Sequence, residues 1–269
     1  MDLQTLKLFS LASKRSIIHG TCGFVSDAIW IVDGNNKITQ IGSLRTKDLA
    51  LWWNNYINEN ISSAKDLTDL INQGLIAIKS TEFGNSELGV SLVIARETEN
   101  DLEVLLIGDC EAIIGREDEI EAVIKVEKNR QITDSLISKM VSTSQAKQCS
   151  ILKSRPVIEK DLQTKVRGVS EESYSLLRGK DKQITSDNSM YKKFNKRNVT
   201  HITLLNGGTR QYYTVFEIGD ISEIYQYSKS NNFIELYERV CQAEKEDLDC
   251  NTYPRIKPMR SYMLISVGI

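Results

Sequence analysis

Residues 27–36, "DAIWIVDGNN", decide how the whole chain is read. Ala28 through Val32 are all apolar, and the run ends on Asp33-Gly34. A near-continuous apolar run of this length is the pattern of a strand covered on both faces. Asp-Gly after a strand is the strongest short-range hairpin signal. It is also a way of presenting a carboxylate at a strand end to a metal ion. The two readings differ in what the remaining residues must supply.

Working outward, "RTKDLALWWNNYINENI" places Leu49, Trp52, Trp53, Tyr56 and Ile57 at helical spacing. In "SSAKDLTDLINQGLIAIKS", Leu67, Leu70, Ile71, Leu75 and Ile78 hold one helical face, with Ser63 and Asp66 as a capping pair. Near the start, "LQTLKLFSLA" alternates loosely, as an edge strand does. From Leu88 the period shortens. "LGVSLVIARE", "DLEVLLIGDCEAIIG" and "EIEAVIKVEK" predict a three-stranded antiparallel meander, with "TENDL" as its first hairpin loop. "TDSLISKMVSTSQA" predicts a helix, and "SEESYSLLRG" a capped helical segment stopping at Gly179. The segment 178–198, "RGKDKQITSDNSMYKKFNKRN", is polar and basic. It reads as a solvated loop or as a basic flap facing an acidic partner or phosphate. "THITLLNGG" predicts another buried strand ending in a tight turn, and "SYMLISVGI" a last strand. Between them, "DISEIYQYSKSNNFIELYERVCQAEKED" gives two short helices, the second with Phe233, Leu236, Tyr237, Val240 and Cys241 on one stripe. This order predicts a single α+β layered domain over residues 1–269.

Apolar content of 41% and charged content of 26% are those of an ordinary soluble globular protein. A net charge of -2 gives no general attraction to nucleic acid or to a membrane surface. No stretch approaches the ~20 apolar residues of a membrane span. Lys7, Lys14 and Arg15 interrupt the first apolar runs, so neither a signal peptide nor an anchor is expected. Cys22, Cys110, Cys149, Cys241 and Cys250 are scattered without a Cys-x-x-Cys pair. That argues for a reducing, cytoplasmic setting and against a zinc site.

Three predicted buried strands end alike, in "IVDG", "LIGDC" and "LLNGG", and the last strand follows "YPRIKPMR". In order and strand context these motifs resemble the metal-dependent protein phosphatase 2C (PPM-type) family, over nearly the whole chain. The resemblance implies a four-layer αββα sandwich of mostly antiparallel sheets. It also implies two Mg²⁺ or Mn²⁺ ions about 4 Å apart that orient a phosphate and a water. Such hard cations need oxygen ligands. In the family these are a Glu before the first buried strand, the Asp of Asp-Gly with the following glycine's carbonyl, the Asp of a Thr-Asp-Gly strand end, and an Asp opening the last strand. The Gly-Asp-Ser aspartate serves a third, weaker metal.

Carried over residue by residue, the pattern breaks. Asp33 and Gly34 stand where Asp-Gly belongs, and Asp109 stands in "GDC" with Cys110 in place of serine. The remaining positions fall on His19, Asn206 and Arg260. Neither "KRSIIHGTCGFVS" nor the segment from Lys257 to Ile269 contains an acid. Adjacent unit charges interact by about 4 kcal/mol at ~4 Å and an effective dielectric of ~20. One retained carboxylate cannot offset a binuclear site's +4, so no such centre is expected. Arg260 is instead expected to pair with Asp33 and fill the vacated cation position, with His19 and Asn206 completing the hydrogen bonding. The alternative has Asp33 capping a turn and Arg260 in solvent. Arg15 falls near a phosphate-contacting Arg of some relatives.

The expected function is therefore that of a catalytically impaired phosphatase, a pseudophosphatase. It would bind a protein partner or phosphorylated segment, with no cofactor, no nucleic acid and no membrane. The alternative is a divergent, active Ser/Thr phosphatase using Mn or Mg on Asp33, Gly34 and Asp109, with Asp27 or Asp220 recruited. A third class, an N-terminal-nucleophile amidohydrolase, finds no Thr, Ser or Cys beside Met1 in "MDLQTLK". His201 reads as a packing residue, and Cys110, following Asp109 at a strand end, as a buried thiol whose alternative is an activated nucleophile.

Overall fold

The computed structural model describes residues 1–12, 19–34, 40–167, 173–230, 232–257 and 261–269. Along the chain the strands and helices are β1 (Asp2–Ala12), β2 (Thr21–Val25), β3 (Ala28–Gly34), β4 (Gln40–Ile41), β5 (Leu44–Arg45), α1 (Thr46–Asn60) and α2 (Leu67–Ala77). Then come β6 (Gly89–Glu97), β7 (Asp101–Ile107), β8 (Glu111–Arg116), β9 (Glu119–Lys125), α3 (Glu127–Lys147), α4 (Glu159–Arg167), β10 (Leu177–Arg178) and β11 (Ser189–Asn195). The chain ends with β12 (His201–Leu205), α5 (Gly207–Thr214), α6 (Ile221–Ser230), α7 (Phe233–Glu246) and β13 (Ser261–Gly268).

Two antiparallel sheets face each other. One has the order β1-β13-β12-β8-β9; the other runs β2-β3-β6-β7-β11, with β10 paired to β6. Strand periodicity assigns the faces. In β3, Ala28, Trp30 and Val32 join the apolar cluster under α1 and α2, while Ile29 and Ile31 enter the layer between the sheets. There they meet Ile202, Leu204, Met263 and Ile265 of the opposite sheet. The outer face of that sheet, through Leu205, Tyr262 and Leu264, packs against α5, α6 and α7. The result is the expected α+β four-layer αββα sandwich, with α3 and α4 around a separate apolar cluster. Trp30 fixes α1 to its sheet by donating from Nε1 to Asn54 Oδ1 at 3.0 Å.

Several local expectations are corrected. The run "DLEVLLIGDCEAIIG" is two strands in different sheets, β7 and β8, so no three-stranded meander forms. The break is at Gly108, whose φ of 88° turns the chain where a Cβ would stand 2.3 Å from Ser91 Oγ. Asp66 alone caps α2, accepting from Asp69 N at 2.8 Å; Ser63 donates to Asn60 O, finishing α1 instead. "SEESYSLLRG" was expected to be helical, but its described residues 173–179 are not. Leu176 and Leu177 enter different apolar clusters, which a strand allows, and β10 results. The basic segment 178–198 carries β11, an edge strand paired with β7 from Ser189↔Ile107 to Asn195↔Asp101. "LLNGG" is not a tight turn: β12 passes directly into α5.

Candidate functional site

Period two carries Asp33, after Ile29 and Ile31, onto the inter-sheet side of β3. The same period carries Asn206, after Ile202 and Leu204, onto the inter-sheet side at the end of β12. The two strand ends thus bring the side chains together across the sandwich, and Asn206 Nδ2 donates to Asp33 Oδ2 at 3.1 Å. The orientation of that amide is fixed by its other contacts. Its Oδ1 accepts from Thr209 N, Thr209 Oγ1 and Met263 N, each at 3.0 Å. Two of those donors are backbone N–H groups, so only oxygen fits there and the NH₂ must face Asp33. Asn206 is the N-cap of α5 and is 1% exposed.

Asp109 reaches the same end of the sandwich from the β7–β8 crossover. Its N–H donates to Ser91 Oγ at 3.0 Å, and Ser91 is paired with Asp33 across β3 and β6. Both acids bear on Cys110. Burial, then the Asp33 and Asp109 carboxylates, push its thiol well above the ordinary cysteine range. Cys110 is fully buried and protonated, which rules out the activated-thiol reading. His19 is half-buried at the rim. Its carbonyl lies so close to Gly34 that a Cβ there would stand 2.3 Å away. Burial, with Lys257 and Lys47 nearby, lowers the His19 pKa, so the ring is neutral.

A residue that the sequence reading did not single out completes the charge pattern. Arg210, one turn into α5, places Nη2 3.8 Å from Asp109 Oδ1 and Nη1 3.3 Å from Glu111 Oε1. The Tyr213 hydroxyl donates to the other Glu111 oxygen. Burial works against the Arg210 guanidinium, but Asp109 and Glu111 outweigh it and raise its pKa. Burial likewise raises Glu111, opposed by Arg210 and Tyr213. The signal was available: an Asn read as an N-cap puts the residue four positions on over its own end of the helix.

The site residues therefore divide. Asp33, Gly34, His19, Asp109 and Asn206 lie at one end of the sandwich. Arg15 and Arg260 lie outside the described residues, and with them the expected Arg260–Asp33 pair. Among the described residues no group of three or more His, Cys, Asp or Glu side chains converges to hold a metal ion. The donor set fits a binuclear centre poorly as well. An amide N–H faces Asp33 where the family has a carboxylate, and a guanidinium faces Asp109.

No protein-family model and no curated relative matches the chain. Solved structures do match, over nearly its whole length. The serine/threonine phosphatase Stp1 of Staphylococcus aureus covers 98% of this chain and 94% of its own, at TM-score 0.56 and 9% identity. A bacterial serine phosphatase covers 98% and 97%, at 0.57 and 10%. The PPM Ser-Thr phosphatase MsPP of Mycobacterium smegmatis, solved with cacodylate, covers 98% and 97%, at 0.52 and 10%. The chain thus has the fold of the PPM-type, or protein phosphatase 2C-like, serine/threonine phosphatases. At these identities the likeness is one of fold. No helix among the described residues is long and apolar enough to cross a membrane.

Proposed function

We propose that this chain is a single-domain, cytoplasmic pseudophosphatase: a phosphatase 2C-like sandwich whose strand-end cleft binds a protein partner or phosphorylated segment without cleaving it. The observation that carries the reading is the Asn206 amide, locked by two backbone donors with its NH₂ on Asp33. An N–H in that position cannot ligate a cation, and it leaves Asp33 partnered without one. The phosphatases of like fold make a phosphorylated protein segment the natural ligand class, and no cofactor is required to bind it. Two measurements test the reading. Hydrolysis of p-nitrophenyl phosphate and of a phosphoserine peptide is expected to stay at background in Mn²⁺ or Mg²⁺. Calorimetric titration is expected to show that the phosphoserine peptide binds and its unphosphorylated form does not. Mn²⁺-dependent turnover that disappears in Asp33→Ala establishes the divergent active enzyme instead.

A further inference from the structure

The Asp109 end of the cleft poses its own electrostatic problem. Asp109 and Glu111 flank a fully buried residue, and Glu111 is only 1% exposed. Two carboxylates this sheltered need a counter-charge. The Asp109 side chain is open to solvent ions. A pocket lined by Asp109, Arg130, Asp134, Gly207 and Arg210 opens between α3 and α5 onto the Asp109 side chain. What stands against both acids is Arg210, itself about nine-tenths buried, at 3.8 Å and 3.3 Å.

We propose that Arg210 is the built-in counter-cation of Asp109 and Glu111, and that its guanidinium bars divalent cations from this pair of acids. This rests on the reading of the cleft as metal-independent. Arg210 acts as a positioning residue. It holds the β7–β8 crossover through both carboxylates, and its positive charge repels an ion arriving through the pocket. Removing that charge leaves the Asp109 carboxylate facing the pocket with the buried Glu111 carboxylate behind it, both without their guanidinium. Arg130 and Arg255 also line the pocket but are paired with Asp134 and Asp247, so the Asp109 and Glu111 oxygens are those left for a hard divalent cation, with water filling the remaining positions.

The experiment uses the full chain with Mn²⁺ alone as probe, bound ion being read by electron paramagnetic resonance. Arg210→Gln is expected to bind Mn²⁺ at least ~10-fold more tightly than the wild type, since a repelling charge within ~4 Å has gone. Asp109→Asn in the same chain is expected to abolish the gain. A folded Arg210→Gln protein that binds no more Mn²⁺ than the wild type overturns the proposal. Should Arg210→Gln not fold, the wild type and Asp109→Asn decide. Equal Mn²⁺ binding by the two supports the counter-cation, and a wild-type site lost in Asp109→Asn refutes it. That refutation is distinct from failure of the functional reading, which is signalled by turnover lost in Asp33→Ala.

Discussion

Replacing Asn206 with aspartate tests the pairing at the strand ends with almost no change of shape. One oxygen of the new carboxylate still accepts from Thr209 N, Thr209 Oγ1 and Met263 N, so the α5 cap is kept. The other replaces the NH₂ that donates to Asp33 Oδ2 at 3.1 Å and to Ser261 O at 3.1 Å. Attraction becomes repulsion between like charges. At an effective dielectric of ~20, two unit charges at 3.1 Å repel by about 5 kcal/mol. Asp33 is only half-buried, so solvent brings this to about 2–3 kcal/mol. Thermal unfolding in EDTA near pH 8 should fall by roughly 5–10 °C. A carboxylate raised by a like charge destabilises the fold above its unfolded pKa, so the deficit should shrink toward about pH 5 as one acid takes up a proton. Mn²⁺ should restore part of the loss in Asn206→Asp and leave the wild type unmoved. An Asn206→Asp protein as stable as the wild type near pH 8, or one whose deficit is the same near pH 5, refutes the reasoning.

Two further outcomes follow from buried groups elsewhere. Burial, with Lys7 and Lys229 nearby, lowers His201 to about 4, and its Nε2 meets Ser266 Oγ at 2.5 Å. The unfolded chain therefore binds the proton first. The neutral ring's stabilisation, about 3 kcal/mol, is complete above ~6.5 and is lost as pH falls from there toward 4. Denaturation across that range should show a slope that His201→Gln flattens, and an unchanged slope counts against a buried neutral ring. Gly108→Ala must place a Cβ 2.3 Å from Ser91 Oγ at a φ of 88°. It should cost about 2–4 kcal/mol in urea unfolding, and a loss below ~1 kcal/mol would mean that the crossover turns elsewhere.

The fold was legible where a single periodicity ran long enough to show both faces. "AIWIVDG" is buried on both sides as its continuous apolar run implies, and Leu67, Leu70, Ile71, Leu75 and Ile78 are all buried against the sheet that holds β3 and β6. The reading failed where one residue changes the chain's direction. Gly108 divides an unbroken apolar run between two sheets, and nothing in hydrophobic pattern marks a positive φ. The β11 strand was hidden because an edge strand keeps polar side chains. Tyr191 and Lys193 are both spent on Glu103 of the neighbouring β7, at 2.6 Å and 3.1 Å. At the site, the motif positions placed Asp33, Asp109 and Asn206 at one end of the sandwich. Arg210 escaped because its partners, Asp109 and Glu111, lie about a hundred residues earlier, a proximity made only by the pairing of β8 with β12.

That pairing also explains how the strand ends hold together with so few acids. A cluster of carboxylates at the end of a sandwich is stable only with cations among them, whereas a few separated acids can be held by polar and basic side chains of the protein itself. Each remaining acid then needs its own partner. Asp33 meets a neutral donor whose orientation is fixed by the α5 cap, and Asp109 shares with Glu111 a guanidinium from the next turn of the same helix. Both partners are carried by the start of α5, immediately after β12. A single strand-to-helix junction therefore supplies the polar contact and the positive charge. It also predicts that the two are coupled: Asn206→Ala, by loosening the α5 cap, should displace Arg210 and expose Asp109, whereas Asp33→Asn should leave the Arg210 pair intact. Mn²⁺ binding that rises in Asn206→Ala but not in Asp33→Asn would demonstrate the coupling, and equal behaviour of the two variants would show the two acids to be held independently.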